Sequence, residues 1–328
     1  MSINSELPKH VRQSSVVIKR SCCTPSRPVE EIAQDAQQNF LDCTILHLRN
    51  CKPVPGGDAL LGTAYPLIAG DGESPLLRKK VRPLWWECGA TSIGQFKKFV
   101  DATKYVTVAE SLGWSFVFYS HVPGGAEGTL GVEGLEWWRR IEGANWRYPN
   151  GPEGAEGSDE FPATHIALED ANAFAKWAGG RLPREVEWEH AARGGLGDVR
   201  YPWGNTDPDD LHHLPCNIWQ GVFPVHDTGL DGYSGPAPVL SFDPNGYGLH
   251  HMVGNVWEWT ADPFKLRSVS VAARRHNASD RGRHLLKGGS FLCHQSYCHR
   301  YRIAARTGNT PDSTSSHTGF RVVYDSAP

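Results

Sequence analysis

The chain has 328 residues, 39% hydrophobic and 21% charged, with a formal net charge of −3. That composition supplies a packed core and excludes a disordered scaffold. The near-neutral balance gives no electrostatic reason to expect nucleic acid or an anionic membrane as partner.

In chain order, residues 1–50 read as an arm. It carries Pro8, the run Ser21-Cys-Cys-Thr-Pro-Ser-Arg-Pro28 and an expected helix over residues 29–39. The start has no apolar stretch of the secretory kind, and Glu6, Glu30 and Glu31 argue against a transit peptide. No run approaches the length of a membrane span. A cytoplasmic location is therefore expected, with no membrane partner. The globular domain is assigned to residues 51–328, its packed part beginning near Val54-Pro-Gly-Gly57.

A helix is expected over residues 92–103, where Ile93, Phe96, Phe99 and Val100 share one face and Ser92 can cap. Another covers 170–178, with Ala171, Phe174, Ala175 and Ala178 on one side and Gly179-Gly180 to end it. Pro183 is expected to open a third helix over 184–192. Beyond Tyr201 the sequence reads as short strands broken by Gly, Pro, Asn and Asp. Residues 262–286, rich in Arg, Ser and His without apolar periodicity, read as a surface loop. The 35 Gly and 23 Pro are about 18% of the chain against a usual ~12%. With twelve Trp and two Met, they point to irregular backbone around rigid aromatic packing.

The eight cysteines, at 22, 23, 43, 51, 88, 216, 293 and 298, form no regular framework. Cys293 and Cys298 are the chemically suggestive pair. Five residues apart, they face opposite sides of a straight strand and diverge by about 140° on a helix. Their sulfurs meet only if the chain bends between them. If they meet, they offer a disulfide or a soft two-coordinate site suited to Cu(I); otherwise they are two buried thiols. Arg300, Arg302 and Arg306 nearby are expected to lower the thiol pKa values. Zinc is disfavoured, because C-x4-C is not a finger spacing and His294 and His299 lie too close to complete one.

The run Gly288-Gly-Ser290-Phe-Leu-Cys293, then Cys298-His-Arg-Tyr-Arg302, Arg306, Asn309-Thr-Pro-Asp312 and Ser315-Ser-His-Thr-Gly-Phe-Arg321 resembles the active-site segment of the formylglycine-generating enzyme (sulfatase-modifying factor) family. The likeness extends upstream through Gly143-Ala-Asn-Trp-Arg147, Trp177-Ala-Gly-Gly-Arg-Leu-Pro183, Tyr201-Pro-Trp-Gly-Asn205, Asn217-Ile-Trp-Gln-Gly221, Asn245-Gly-Tyr-Gly-Leu249 and Gly254-Asn-Val-Trp-Glu-Trp259. It covers roughly residues 52–325. The paired cysteines with Ser290 and Asn309 are its specific part; Gly-Asn-Val-Trp-Glu-Trp also occurs across lectin-like relatives.

The resemblance implies an α+β single domain of variant C-type-lectin-like (sulfatase-modifying factor) fold with little regular secondary structure. It implies an oxidoreductase that converts the cysteine of a C-x-P-x-R motif in an unfolded sulfatase polypeptide to Cα-formylglycine, using O2 and a thiol reductant. Cys293 and Cys298 match the Cu(I)-binding cysteines, Ser290 an active-site serine, and Trp257 and Asn309 the substrate groove. A structural Ca2+ is implied at the side chains of Asn217 and Asp231 and the carbonyls of Ile218 and Tyr233. A second is implied at the carbonyls of Gly254 and Val256 and the carboxylate of Glu258. There the chain departs from the family, with His251 in place of the usual asparagine.

Two other readings belong beside this one. A non-catalytic lectin-like protein- or ligand-binding module would keep the scaffold without the cysteine pair. An iron sulfoxide synthase would need an additional helical domain, for which the arm is too short. Finally, Cys23-Thr-Pro-Ser-Arg27 in the arm itself satisfies C-x-P-x-R. It is either a chance pentapeptide in a tail or a segment that enters the groove as a pseudosubstrate or exchanges disulfides with the catalytic pair.

Overall fold

The computed structural model describes residues 24–26 and 50–328, other than 268, 269, 280 and 281. The helix expected over residues 29–39 lies outside the described residues. The strand Leu84–Glu87 has Cys51–Val54 on one side and Val323–Tyr324 on the other, both antiparallel. The two ends of the globular domain are thus joined in one small sheet.

A second sheet carries the chemistry. Its order is Thr307–Asn309, His284–Lys287, Trp257–Pro263, Thr318–Phe320, and only the last pairing is parallel. A third sheet places Leu135–Glu142 between Trp114–Phe118 and Leu130–Val132. Gly57–Leu61 with Leu77–Val81, and Gly221–Val222 with His226–Asp227, make two-stranded pairs. Such short strands are what a chain rich in Gly and Pro can form, because each turn residue interrupts the ladder.

The three helices read from periodicity are present with small shifts. Ile93–Thr103 is capped by Ser92, whose hydroxyl accepts from Gln95 N while the Gln95 side chain accepts from Ser92 N, so two end donors are satisfied reciprocally. Leu168–Trp177 begins with Ala167 N donating to Asp170 Oδ2 at 2.8 Å. Glu185–Arg193 starts one residue later than expected. Pro183 therefore precedes the Arg184 cap, and it is Glu187 that closes the turn by accepting from Arg184 N at 2.7 Å.

The loop expected over 262–286 is corrected. It holds the end of the Trp257–Pro263 strand, a helix Val271–Ser279 and the start of His284–Lys287. Apolar periodicity could not reveal that helix: among its described side chains Ala273 is the buried one. A five-residue helix, Val108–Leu112, also went unread; the Thr107–Glu110 capping box starts it and Gly113 stops it.

The core is aromatic. Phe96 packs on Phe99, Trp146, Phe174 and Phe320 at centroid distances of 5.4, 5.3, 5.8 and 6.3 Å. These contacts pin the first two long helices against the strand that leads to Arg321. Each such pair adds about 0.5–1.5 kcal/mol beyond area burial. Around this cluster runs a buried ionic layer. Arg306 meets Glu185 at 2.6 Å, Lys287 meets Glu189 at 2.9 Å, and Arg321 meets Glu258 at 2.8 Å. Losing one partner of such a pair strands the other charge in low dielectric and costs about 3–5 kcal/mol.

Candidate active site at the Cys293–Cys298 turn

The chain enters the site through Gly288-Gly289, both at positive φ. At Gly289 a Cβ would lie 2.9 Å from the Tyr301 backbone, so only glycine allows this close approach. A turn follows, with Cys293 N donating to Ser290 O at 2.9 Å. His294 O then accepts from both Tyr297 N (3.0 Å) and Cys298 N (2.7 Å). This single helical turn is the bend the spacing required. It returns Cys298 Sγ to 3.2 Å from Cys293 Sγ, well beyond the ~2.05 Å of a disulfide. Both residues are about 1% exposed.

Ser290 joins the pair through its backbone. Its N–H points to Cys293 Sγ at 3.4 Å, and its hydroxyl accepts from Leu292 N at 3.3 Å. Ser290 thus shapes the turn and offers one donor to a developing thiolate.

For Cys293 the expectation that the arginines lower the thiol pKa is corrected. Burial pushes the Cys293 thiol well above its ordinary range, and the hydrogen bond and charge of Cys298 add to this; Ser290 N–H and Arg300 act against it without prevailing. The arginines are already spoken for by carboxylates. Arg300 holds Asp71 in a bidentate pair at 2.5 and 2.9 Å, leaving Nη1 3.9 Å from Cys298 Sγ. Arg302 holds Glu73 at 2.5 and 3.0 Å, and Arg306 holds Glu185. Two sulfurs in contact, buried and soft, fit a soft monovalent cation, which would replace thiol protons and restore the lost solvation. The neighbouring imidazoles do not complete a zinc set. His294 bonds Asp210 (2.8 Å) and Ser296, and His299 bonds the Tyr201 hydroxyl.

An aromatic wall backs the turn. Tyr297 stacks on Phe223 at 4.2 Å and meets Trp137 edge-on at 5.1 Å, while Trp219 N donates to Cys293 O. His317 stacks on Trp138 at 4.5 Å. Burial pulls its pKa down to about 3, although the Cys298 sulfur would raise it, so it is neutral at ordinary pH. Its Nε2 and the indole N–H of Trp257 are buried and have no hydrogen-bond partner among the described residues. Trp257 itself is fully buried in the same packed cluster as the two cysteines.

Asn309 ends the strand that follows Arg306. Arg306 Nη1 donates to Asp71 O at 3.1 Å, and the Asp71 carboxylate binds Arg300 beside Cys298. The Asn309 amide is buried and bonds across 283 residues of chain. Its Oδ1 accepts from Ser26 Oγ at 2.5 Å, and its Nδ2 donates to Pro25 O at 3.1 Å.

The oxygen sites differ in fit. At the first, Ile218 O and Asp231 Oδ2 both accept from Gln220 Nε2, Asp231 Oδ1 accepts from Tyr233 N at 3.0 Å, and Asn217 Nδ2 donates to Gly235 O and Asn255 Oδ1. Oxygens that converge on one amide donor fit a hard cation, provided Gln220 swings aside. At the second, Glu258 Oε1 binds Arg321 and Oε2 accepts from Trp188 Nε1 at 2.7 Å. His251 is neutral, its pKa lowered to about 3 by burial, with Nε2 near Ser241 Oγ and Pro238 O. Calcium at Gly254, Val256 and Glu258 would have to share the Glu258 carboxylate with Arg321 and Trp188.

Asp71 and Glu73 escaped the sequence reading, and His317 was quoted in its motif without a role. The signal was a matched spacing: Asp71-x-Glu73 faces Arg300-x-Arg302 two residues apart on both sides, a register that one sequence cannot pair across 229 positions.

By architecture, this is a single mixed α+β domain of short sheets. The solved structure of PvdO from Pseudomonas aeruginosa shares that fold, with a TM-score of 0.58 over 89% of this chain and 99% of that one at 20% identity. The chain belongs to the family of the sulfatase-modifying factor enzyme 1-like domain, whose family model matches residues 47–326. It is 50% identical to the formylglycine-generating enzyme of Thermomonospora curvata, over 83% of this chain and 92% of that protein. It is 44% identical to the mouse formylglycine-generating enzyme, over 86% and 77%. It is also 41% identical to a Bos taurus relative named inactive Cα-formylglycine-generating enzyme 2, over 83% and 87%, so membership alone does not fix activity.

Proposed function

We propose that this chain oxidises the cysteine of a C-x-P-x-R motif in a sulfatase polypeptide to Cα-formylglycine, with Cys293 and Cys298 holding Cu(I). The observation that carries this reading is the buried 3.2 Å sulfur pair in a chain half identical to a formylglycine-generating enzyme. In the overall change, R–CH2–SH and O2, with two electrons and two protons from a thiol reductant, give R–CHO, H2S and H2O. Cu(I), when bound, supplies the one-electron chemistry that O2 requires.

The chain's own residues do the rest. Ser290 N–H stabilises charge on Cys293 Sγ, and the aromatic wall keeps water from the sulfurs. The Arg300–Asp71 pair holds a guanidinium beside Cys298 with its charge balanced. The Asn309 amide offers both an acceptor and a donor, the complement of a peptide. Asn217, Asp231 and the carbonyls of Ile218 and Tyr233 would hold a structural Ca2+ beside this wall.

We place the activity in a reducing, cytoplasmic setting, where thiols persist. No helix among the described residues is long and apolar enough to cross a membrane. The test is incubation of a Cys-x-Pro-x-Arg peptide with the chain, Cu(I), O2 and thiol. A peptide mass lower by about 18 Da, sulfur and two hydrogens exchanged for one oxygen, is expected. An unchanged peptide with copper bound would favour the binding-module reading.

A further inference from the structure

Outside the globular domain the described chain consists of Thr24, Pro25 and Ser26, and all three are buried; Thr24 is 1% exposed and Ser26 7%. Polar arm residues lose solvation on burial and gain nothing unless they are bonded. Here the partner is Asn309, which is itself 1% exposed. Ser26 donates to its Oδ1, and Pro25 O accepts from its Nδ2. Thr310 N fixes the amide's orientation by donating to Oδ1 at 2.9 Å. One side chain thereby reads a carbonyl and the hydroxyl of the next residue, as a peptide-binding amide does. Thr24 is joined directly to Cys23, and the pentapeptide is Cys-Thr-Pro-Ser-Arg.

We propose that this arm segment is an internal occupant of the peptide groove: residues 24–26 fill the place of an incoming polypeptide at Asn309 and compete with it. The inference rests on the reading of that groove as the site for C-x-P-x-R. Competition from within the chain is strong even if the motif is a weak ligand. Residues 27–49 tether it to the domain, and short tethers give effective concentrations on the order of mM. A motif that binds with a Kd of roughly 0.1 mM would then weaken binding of an external peptide about tenfold. The groove admits a substrate only when it displaces the arm, which favours chains present at high local concentration.

The test needs no metal. A fluorescent Cys-Thr-Pro-Ser-Arg peptide is titrated into the full chain, into Ser26→Asp, and into a chain lacking residues 1–27, with anisotropy as readout. Aspartate cannot donate to Asn309 Oδ1, so Ser26→Asp releases the arm while leaving the groove intact. Both altered chains should bind the peptide about tenfold more tightly than the full chain. Equal affinity in all three overturns the inference while leaving the groove's function standing. Binding by none overturns both. If the shortened chain fails to fold, Ser26→Asp decides alone.

Discussion

The sulfur turn at 290–298 and the oxygen-lined loop at 217–233 are both irregular backbone tied down by side chains, yet they satisfy their donors in opposite ways. In the turn, two buried sulfurs face each other 3.2 Å apart, and burial pushes the Cys293 thiol well above its ordinary range. In the loop, Gln220 already caps Ile218 O and Asp231 Oδ2. A soft cation would displace protons at the turn, whereas a hard cation would have to displace the Gln220 amide at the loop. A soft cation should therefore govern activity with little effect on folding, and a hard cation should add only to stability.

The sharpest break is Cys298→Ala. Activity should fall at least ~10³-fold, while the melting temperature moves by only a few degrees, since a small buried group is exchanged for another. Retained turnover would sink the assignment of the pair. Next in size is Arg302→Met, which leaves Glu73 buried without its partner. Burial opposes the Glu73 charge, and Arg302 with the backbone N–H groups of Leu67 and Ile68 now holds its pKa below the usual range. Urea unfolding should show a loss of about 3–5 kcal/mol. A loss under 1 kcal/mol would mean that the Asp71–Glu73 segment does not need this clamp.

Acid should act on two buried imidazoles, His317 in the wall and His251 beside Ser241. His317 and His251 are held neutral, with pKa values near 3, against about 6.5 unfolded. Below pH 6.5 the unfolded chain takes up protons the native chain refuses, so stability falls with pH. The slope should approach ~1.4 kcal/mol per unit for each histidine down to the folded value. Buried Glu87 and Asp170, raised to about 7, act in the opposite sense, so the histidine contribution is read as the difference in slope between the wild-type chain and His317→Gln; identical slopes would contradict it. Smallest is the hard cation: adding Ca2+ to chelator-treated protein should raise the melting temperature by a few degrees, and Asp231→Asn should abolish the rise. A shift that survives Asp231→Asn would relocate the site.

Local patterns were legible. The Ser92 cap, the aromatic face of 93–103 and the need for a bend between Cys293 and Cys298 follow from residues within one or two turns of each other. Asn309 and the arm's C-x-P-x-R motif could both be singled out, but not their contact, since hydrogen bonds across 283 residues leave no periodic trace. For the same reason the arginines could be placed near the cysteines but not seen to be neutralised by Asp71, Glu73 and Glu185. Nor could the sequence show that Arg321 and Trp188, far away in the chain, bond both carboxylate oxygens of Glu258. The helix 271–279 was invisible because its residues show no apolar periodicity.

The most direct test of the central claim is a competitive Cu(I) titration against a chelator of known affinity, run on the wild-type chain and on Cys298→Ala across pH 6 to 8. The account predicts one copper per chain with an all-sulfur first shell by X-ray absorption. Affinity should rise about tenfold per pH unit for each thiol proton released, and binding should be lost in the variant. Copper that binds the variant equally well, or with nitrogen ligands, would contradict it.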